Sequence, residues 1–584
     1  MKADFLAGQY FDIRLEVHQP RNGSEFIGLP LDEQFTFTLG KKGEEAKLVT
    51  EFFNLEEPNL EKWNFTWYED LFARDAARKT LVNVASKAYR RIALYEPGEY
   101  TATLNYNNGS KTEATWLVRD LAEERKAKNI VLFIGDGMTT NMITAARLIG
   151  HKQVNGKYQS LMAMDKFPVV GHQMTHSIDS FITDSANSAA ALNTGHKSTV
   201  NCLNVYADSS KDPFDDPKVE SIAEIFHRLT GGHVGIVSTA YIADATPAAL
   251  VSHTRLRSQY GAIVDTYLNG VNNWTHVPID VIFGGGAEQF YPSELGGVTY
   301  QDKNYYDEFA AQDYQIIQNR TALLSASNEE KALGIFTTSN MAKWLDRNVY
   351  RDNLNQSLSP TGDETPALDQ PGLKEMTLKA IDILETRSGD KGWFLMSEAA
   401  SIDKMMHVLD YDRALGELLE LDDTVKATID HLNSTNCLKE TLILVTADHG
   451  HGFDVMGSVD THYLAAQNVD RKKRKFSLFQ GLMADPDRRE NWSVRKSGPR
   501  EPAVEIEEDS DDNYANPEDG EDGILLNGTL PVENDQGVHS LTDVPVYAMG
   551  PCQELFQGTY NSIDIFYNMA TCFGLGRGKP STEE

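Results

Sequence analysis

Residues 11–17 (Phe-Asp-Ile-Arg-Leu-Glu-Val) alternate apolar and polar positions with period two, and residues 34–39 repeat the pattern. Such alternation predicts strands with one buried face. Pro97-Gly98 turns into another strand over 100–106, and Asn107-Asn108-Gly109 then turns the chain into 113–118 as a hairpin. Short strands joined by polar turns make residues 1–120 a small β-sandwich of immunoglobulin-like type, a structural or binding module.

Beyond residue 120 the period changes. Residues 129–134 (Asn-Ile-Val-Leu-Phe-Ile) are too short for a buried helix and suit a strand covered on both faces. Further runs at 234–239, 393–396 and 441–446 each follow a helical stretch, at 221–229, 373–387 and 410–432. That alternation predicts a sheet sandwiched between helices, with ligands beyond the carboxyl ends of its strands. The pattern lapses over 456–535, where the acidic stretch 505–522 predicts a partly disordered insertion. It resumes with a strand at 544–550 and a final helix at 563–573. The expected organisation is a β-sandwich at 1–120, an α/β domain from 121–455 completed by 536–584, and the insertion at 456–535 between them.

The 584 residues carry a formal net charge of −32, which argues against binding to duplex nucleic acid or an anionic membrane surface. The basic run 471–475 is expected to be a solvated loop in acidic surroundings. No stretch of 18 apolar residues predicts a membrane span. The N-terminus shows no apolar signal segment, so a signal peptide is expected to be lacking or removed. The C-terminal residues 576–584 show no apolar tail of a lipid-anchor signal. Nine Asn-X-Ser/Thr sequons favour a glycosylated protein that is secreted, extracellular or periplasmic. Four cysteines, Cys202, Cys437, Cys552 and Cys572, lack metal-site spacing and allow three disulfide pairings.

The candidate chemistry gathers around residues 181–195 (FITDSANSAAALNTG). Small helix-favouring residues after Asp184-Ser185, and Gly195 at their end, predict a tightly packed helix with Asp184 or Ser185 at its N-cap. There the free backbone N–H groups favour an anion such as phosphate. Asp136, Glu398 and the pair Asp448-His449 each follow a predicted strand, while His539 precedes the last one. Asp403 and His407 are spaced to share one helical face. Each alone has an ordinary structural explanation; together they form a ligand set. Mixed His and Asp ligands suit zinc, and oxygen ligands suit magnesium.

The runs Phe133-Ile134-Gly135-Asp136-Gly137-Met138, Thr183-Asp184-Ser185-Ala186 and 238–249 (STAYIADATPAA) resemble the alkaline phosphatases. So do 398–404 (EAASIDK) with His407, Thr446-Ala447-Asp448-His449 and Val538-His539-Ser540. The likeness spans roughly 129–455 and 536–576, and it implies that the insertion at 456–535 lies near the site entrance. It implies a three-layer α/β/α sandwich and hydrolysis of small phosphate monoesters through a phosphoserine at Ser185, with two zinc ions and one magnesium. By the same resemblance Asp403, His407 and His539 hold one zinc, and Asp136, Asp448 and His449 the other. Asp136, Thr246 and Glu398 would hold magnesium. Arg257 would clamp phosphate, with Arg255 its rival in sequence. Asp244 and Lys404 match the Asp/Lys arrangement of many bacterial members, which implies tight phosphate retention; a surface salt bridge is the plain alternative. His451 and His462 are expected either to face solvent or to bind an additional metal. Family members are commonly homodimers. The competing readings are a phosphodiesterase or phosphonate hydrolase of the same fold, or an inactive surface binding protein.

Overall fold

The computed structural model of the protein describes residues 2–68, 79–122, 124–151, 161–271, 274–408, 410–454 and 538–579. The insertion expected at 456–535, the basic run 471–475 and His462 lie outside the described residues.

Near the N-terminus two β-sheets share one apolar core. One holds Lys2–Phe5, Ser110–Val118, Gly98–Tyr106, Thr36–Lys41 and Lys47–Leu48 in that order; the other holds Phe11–Pro20, Lys79–Ile92 and Glu61–Tyr68. The alternation at 11–17 emerges as buried Phe11, Ile13, Leu15 and Val17, which pack with Phe35, Phe37 and Leu39 of the facing sheet. The hairpin expected after Tyr106 is present, pairing Gly98 with Val118 through Tyr106 with Ser110.

The remainder is built on a ten-stranded sheet. Its spatial order is Tyr314–Ile317, Lys331–Ile335, Val281–Gly285, His233–Tyr241, Trp393–Ala399, Asn129–Gly135, Thr441–Thr446, Val544–Met549, Val169–Met174 and Gly558–Asn561. Within it only Val544–Met549 runs antiparallel to its neighbours. The central strand shows why its sequence carries no polar break. Ile130, Leu132 and Ile134 enter the core on one face, while Val131 and Phe133 enter the core on the other. Helices Ile222–Thr230 and Ile563–Phe573 contribute to the first face, and Leu373–Ser388 and Tyr411–Ser434 to the second. The result is the expected three-layer α/β/α sandwich. Each large apolar side chain fully withdrawn from water contributes roughly 1.5–3 kcal/mol, so a sheet covered on both faces is a stiff base for residues at its strand ends. Of the three pairings open to the cysteines, the structure forms Cys552–Cys572, which ties the final helix to the turn after Val544–Met549; Cys202 and Cys437 are free.

Candidate active site

The carboxyl ends of adjacent central strands supply the site. Asp136 follows Asn129–Gly135, Glu398 is the second-last residue of Trp393–Ala399, and Asp448-His449 follow Thr441–Thr446. The first two are held side by side by strand pairing, with Ala399 opposite Gly135 and its carbonyl accepting from Asp136 N at 3.3 Å. Gly137 takes φ +69°, and a Cβ there would lie 3.2 Å from Asp403 Cβ, so the turn can press against the next ligand only as glycine.

Helix Ser185–Thr194 is capped by the Asp184 side chain, which accepts from Asn187 N, and ends at Gly195 in the left-handed region. Ser185 is the first helical residue and is 5% exposed. Its Oγ lies 3.0 Å from His449 Nε2, and that nitrogen lies 3.3 Å from both Asp136 Oδ1 and Asp448 Oδ2. The carbonyl of Gly450, 3.3 Å from His449 Nδ1, can only accept. In the neutral ring the proton therefore sits on Nδ1, and the Nε2 lone pair faces Ser185 and the two carboxylates. Burial lowers the His449 pKa and so favours that neutral ring.

A second group gathers beside the first. Donor atoms of Asp403, His407, His451 and His539 all lie within 4.8 Å of one another, as do those of Asp136, Asp448 and His449. His539 Nδ1 donates to the Thr183 carbonyl at 2.8 Å, which aims Nε2 at Asp403 Oδ1, 3.2 Å away. The His449 and His539 rings stack at 3.6 Å and join the two groups. His539 reaches this place through a short ladder in which His539 pairs with His451. His451 is 1% exposed and neither of its ring nitrogens hydrogen-bonds. The solvent-facing alternative for it is thus overturned; it belongs to the Asp403 group. Burial drives its pKa down to about 3, so it is a neutral ring with a lone pair to offer.

The third expected ligand set is less tightly gathered. Thr246, in the short helix Ala245–Ala248, has a buried Oγ1 with no hydrogen bond, and Glu398 accepts from Ser238 Oγ at 2.5 Å. Burial pushes Glu398 up to about 8. Burial, then the Asp448, Asp403 and Glu398 carboxylates, push Asp136 well above its ordinary value. Burial would also raise Asp403, but the His539 contact and the surrounding imidazoles outweigh it and hold the carboxyl low. Crowded carboxylates, the neutral His449 and His451 rings and a buried Thr246 Oγ1 without a hydrogen bond are a donor set that fits divalent cations.

The cationic side chains converge on Asp244. Lys404 Nζ donates to Asp244 Oδ2 at 2.6 Å, and Arg257 donates to Asp244 Oδ1 at 3.0 Å and to Asp184 Oδ2 at 3.1 Å. The Asp244–Lys404 pair is a salt bridge, but Asp244 is buried and shared with Arg257, unlike a surface pair. Burial opposes charge on all three, yet their contacts prevail: Asp244 is held well below its ordinary value, and Arg257 and Lys404 above theirs. Arg255 is occupied elsewhere, donating to Asp208, Asp216 and the Ser210 carbonyl. Only Arg257 touches the residue beside Ser185. Sequence reasoning missed two supports, Ser188 Oγ donating to Asp448 Oδ2 at 3.2 Å and Ser238 beneath Glu398. Their only signal is position, three residues after Ser185 and at the end of a strand.

A model of the alkaline phosphatase family matches residues 127–575, and one of a PhoA-like N-terminal domain matches residues 1–119. The chain belongs to the alkaline phosphatase family. That membership makes it a hydrolase of phosphate monoesters and implies divalent metals. Alkaline phosphatase H of Pseudomonas aeruginosa is 32% identical over 369 residues, covering 59% of this chain and 74% of that one. The alkaline phosphatase of Escherichia coli K12 is 28% identical over 496 residues, covering 79% of this chain and 89% of that one. The crystal structure of Thermus thermophilus alkaline phosphatase superposes with a TM-score of 0.55 at 19% identity, over 79% of this chain and 94% of that one, a likeness of fold.

Proposed function

We propose that this alkaline phosphatase hydrolyses small phosphate monoesters through a phosphoserine at Ser185, with two zinc ions and one magnesium bound. The observation that carries the reading is Ser185 Oγ, 3.0 Å from His449 Nε2 at the edge of the Asp136–Asp448–His449 group. Asp403, His407 and His539 would hold the first zinc, with His451 packed against them. Asp136, Asp448 and His449 would hold the second, and Asp136, Thr246 and Glu398 the magnesium. Charge supports the number. Asp184 and Asp244 balance Arg257 and Lys404, which leaves Asp136, Glu398, Asp403 and Asp448 as four uncompensated carboxylates. Two divalent cations would neutralise them, and a third leaves the excess that a phosphate dianion matches.

When bound, such cations favour the Ser185 alkoxide and offset charge on the attacking and leaving oxygens. Ser185 Oγ, its proton given up to solvent, forms a bond to phosphorus as the ester P–O bond breaks, and the departing alkoxide takes a proton from solvent to leave as the alcohol. Water then adds to phosphorus, the P–Oγ bond breaks, and phosphate leaves with the Ser185 hydroxyl restored. Asp184 and Asp244 orient the Arg257 guanidinium, whose remaining N–H groups can take two non-bridging phosphate oxygens. Lys404, steered by Asp244, places a further positive charge at the phosphate and favours slow product release.

The Cys552–Cys572 disulfide supports maturation in an oxidising compartment, in line with a secreted or periplasmic glycoprotein. Among the described residues no helix is long and apolar enough to cross a membrane. The reading is tested by quenching turnover in acid and mapping the phosphorylated peptide. Label on Ser185, lost together with activity in Ser185→Ala, is expected; turnover surviving in Ser185→Ala refutes it.

A further inference from the structure

We propose that Gln9 is a positioning residue for the nucleophile, and that the N-terminal β region serves the reaction by clamping the far end of the Ser185 helix. This rests on the reading of Ser185 as nucleophile and extends it to the part of the chain whose role the sequence left open.

The helix Ser185–Thr194 is an unusually smooth rod. Ala186, Ala189, Ala190 and Ala191 are at most 1% exposed, and Leu192 is its one large apolar side chain. Small side chains allow close packing but offer few knobs to resist sliding along the axis. Its axial position therefore depends on polar anchors at its two ends. At the Ser185 end these are Asp184 on Arg257, the Thr183 carbonyl on His539 and Ser188 on Asp448.

At the other end the anchor comes from the first residues of the chain. Thr194 closes the helix, and the carbonyls of a last helical turn lack partners within the helix. Gln9, with no solvent exposure, donates from Nε2 to the Thr194 carbonyl and to the Glu220 carbonyl, both at 2.8 Å. Its Oε1 accepts from Leu6 N at 3.2 Å, so every polar atom of the amide is used. The segment bearing Gln9 is itself fixed. Tyr10 N donates to Glu220 Oε2, Arg228 donates to the Gly8 carbonyl and lies 4.0 Å over the Tyr10 ring, and Phe5 packs edge-on against His196 at 4.8 Å. Phe11, which opens the strand Phe11–Pro20, bridges to Val219. On the opposite side, Gly195 has no room for a Cβ, which would fall 2.5 Å from Phe566. The helix end is thus held between the N-terminal segment and the final helix, about 14 Å from Ser185 at 1.5 Å per residue.

Replacing Gln9 by leucine keeps the bulk but leaves two buried carbonyls unpartnered and the rod free to shift. A displacement of about 1 Å at a reacting group can cost up to a hundredfold in rate. The test uses the full-length, metal-loaded enzyme at a temperature where circular dichroism shows wild type and variant equally folded. The single-turnover rate of Ser185 phosphorylation from 4-nitrophenyl phosphate is measured together with the inhibition constant of inorganic phosphate. In Gln9→Leu the phosphorylation rate is expected to fall about tenfold. Phosphate inhibition should stay within about twofold, because Asp244 keeps its own hold on Arg257 and Lys404 when the helix moves. Hydrogen exchange should rise across 185–194. A wild-type phosphorylation rate with only a lowered melting temperature overturns the proposal. Should Gln9→Leu not fold, Gln9→Asn, which keeps the amide but falls one methylene short, is expected to show the same selective loss, and a wild-type rate there overturns it equally. Failure to detect phosphoserine in the wild type would count against Ser185 as nucleophile, and is distinguished by measuring Ser185→Ala in parallel.

Discussion

Stripping divalent cations should make stability fall as pH rises through neutrality. In the metal-free site the Glu398 carboxyl is pushed from 4.5 up to about 8, first by burial; the Ser238 hydrogen bond and Lys404 oppose the shift, and the Asp244 and Asp448 charges add to it. Asp136 is raised too, by burial and by the neighbouring carboxylates. A folded-state pKa above the unfolded one means that the folded protein keeps a proton which the unfolded chain releases. That stabilisation is complete below pH 4.5 and is lost as pH climbs to about 8, at about 1.4 kcal/mol per pH unit for each group. The buried imidazoles act on the acid side. Burial depresses His449, and His451 to about 3, so their neutral rings cost stability once pH drops below 6.5. From 4.5 to 6.5 the two trends offset each other, and from 6.5 to 8 the carboxylate loss remains, joined by that of His539, whose contact with Asp403 outweighs burial and raises its pKa. Glu398 alone then costs about 2 kcal/mol, with Asp136 adding to it. Restored zinc and magnesium should reverse the slope, because cations bind the deprotonated ligands. Urea unfolding of chelator-dialysed protein at pH 6.5 and pH 8, with and without metals restored, reads both effects. A metal-free protein as stable at pH 8 as at pH 6.5 would refute the reasoning.

Arg257→Ala should weaken phosphate inhibition at least tenfold, the worth of a charge-assisted hydrogen bond of about 1.5–3 kcal/mol. Arg255→Ala should leave that inhibition unchanged while lowering stability by about 1–3 kcal/mol, since buried Asp216 loses the guanidinium but keeps the Asp208 and residue-255 backbone N–H donors; the reverse pattern in an inhibition assay and a melt would exchange their roles. Replacing Lys404 and Asp244 together by histidine should raise the phosphate inhibition constant about tenfold and speed turnover. An unchanged phosphate affinity in the double variant would sink the product-retention idea.

Much of the site is legible in sequence because its residues sit at ends of strands that announce themselves. Runs such as Asn129–Gly135 and Thr441–Thr446 are apolar throughout, so the residue after each strand stands out. Strands with other demands are silent. Lys79–Ile92 carries Lys, Ser, Ala and Arg among its apolar residues, because one face meets solvent while Val82 and Val84 enter the core. Val169–Met174 includes His172 and Gln173, and Gln173 is buried there because it donates to Thr446 Oγ1 and the Ala447 carbonyl. Sequence could not separate Arg255 from Arg257, two residues apart, since only the fold decides which one faces Asp184. His451 was open between solvent and metal for a related reason: its burial depends on pairing with His539, 88 positions further along the chain. The pairing of Cys552 with Cys572 likewise depends on where the last helix docks.

Asp184 links what would otherwise be two devices. Its backbone and side chain start the Ser185 helix, and the same carboxylate holds Arg257. Arg257 holds Asp244, Asp244 holds Lys404, and Lys404 is adjacent to Asp403 of the histidine-rich group. His539 closes the circuit by donating to the Thr183 carbonyl. Ser185, the Arg257–Asp244–Lys404 cluster and the two His/Asp groups are therefore fixed relative to one another by direct contacts. A shift of the Ser185 helix loads its links through Asp184 and Thr183, while Asp244 keeps its own hold on Arg257 and Lys404. This is the physical reason a buried amide at Gln9, on the opposite end of the same short helix, is placed to govern how Ser185 meets phosphorus.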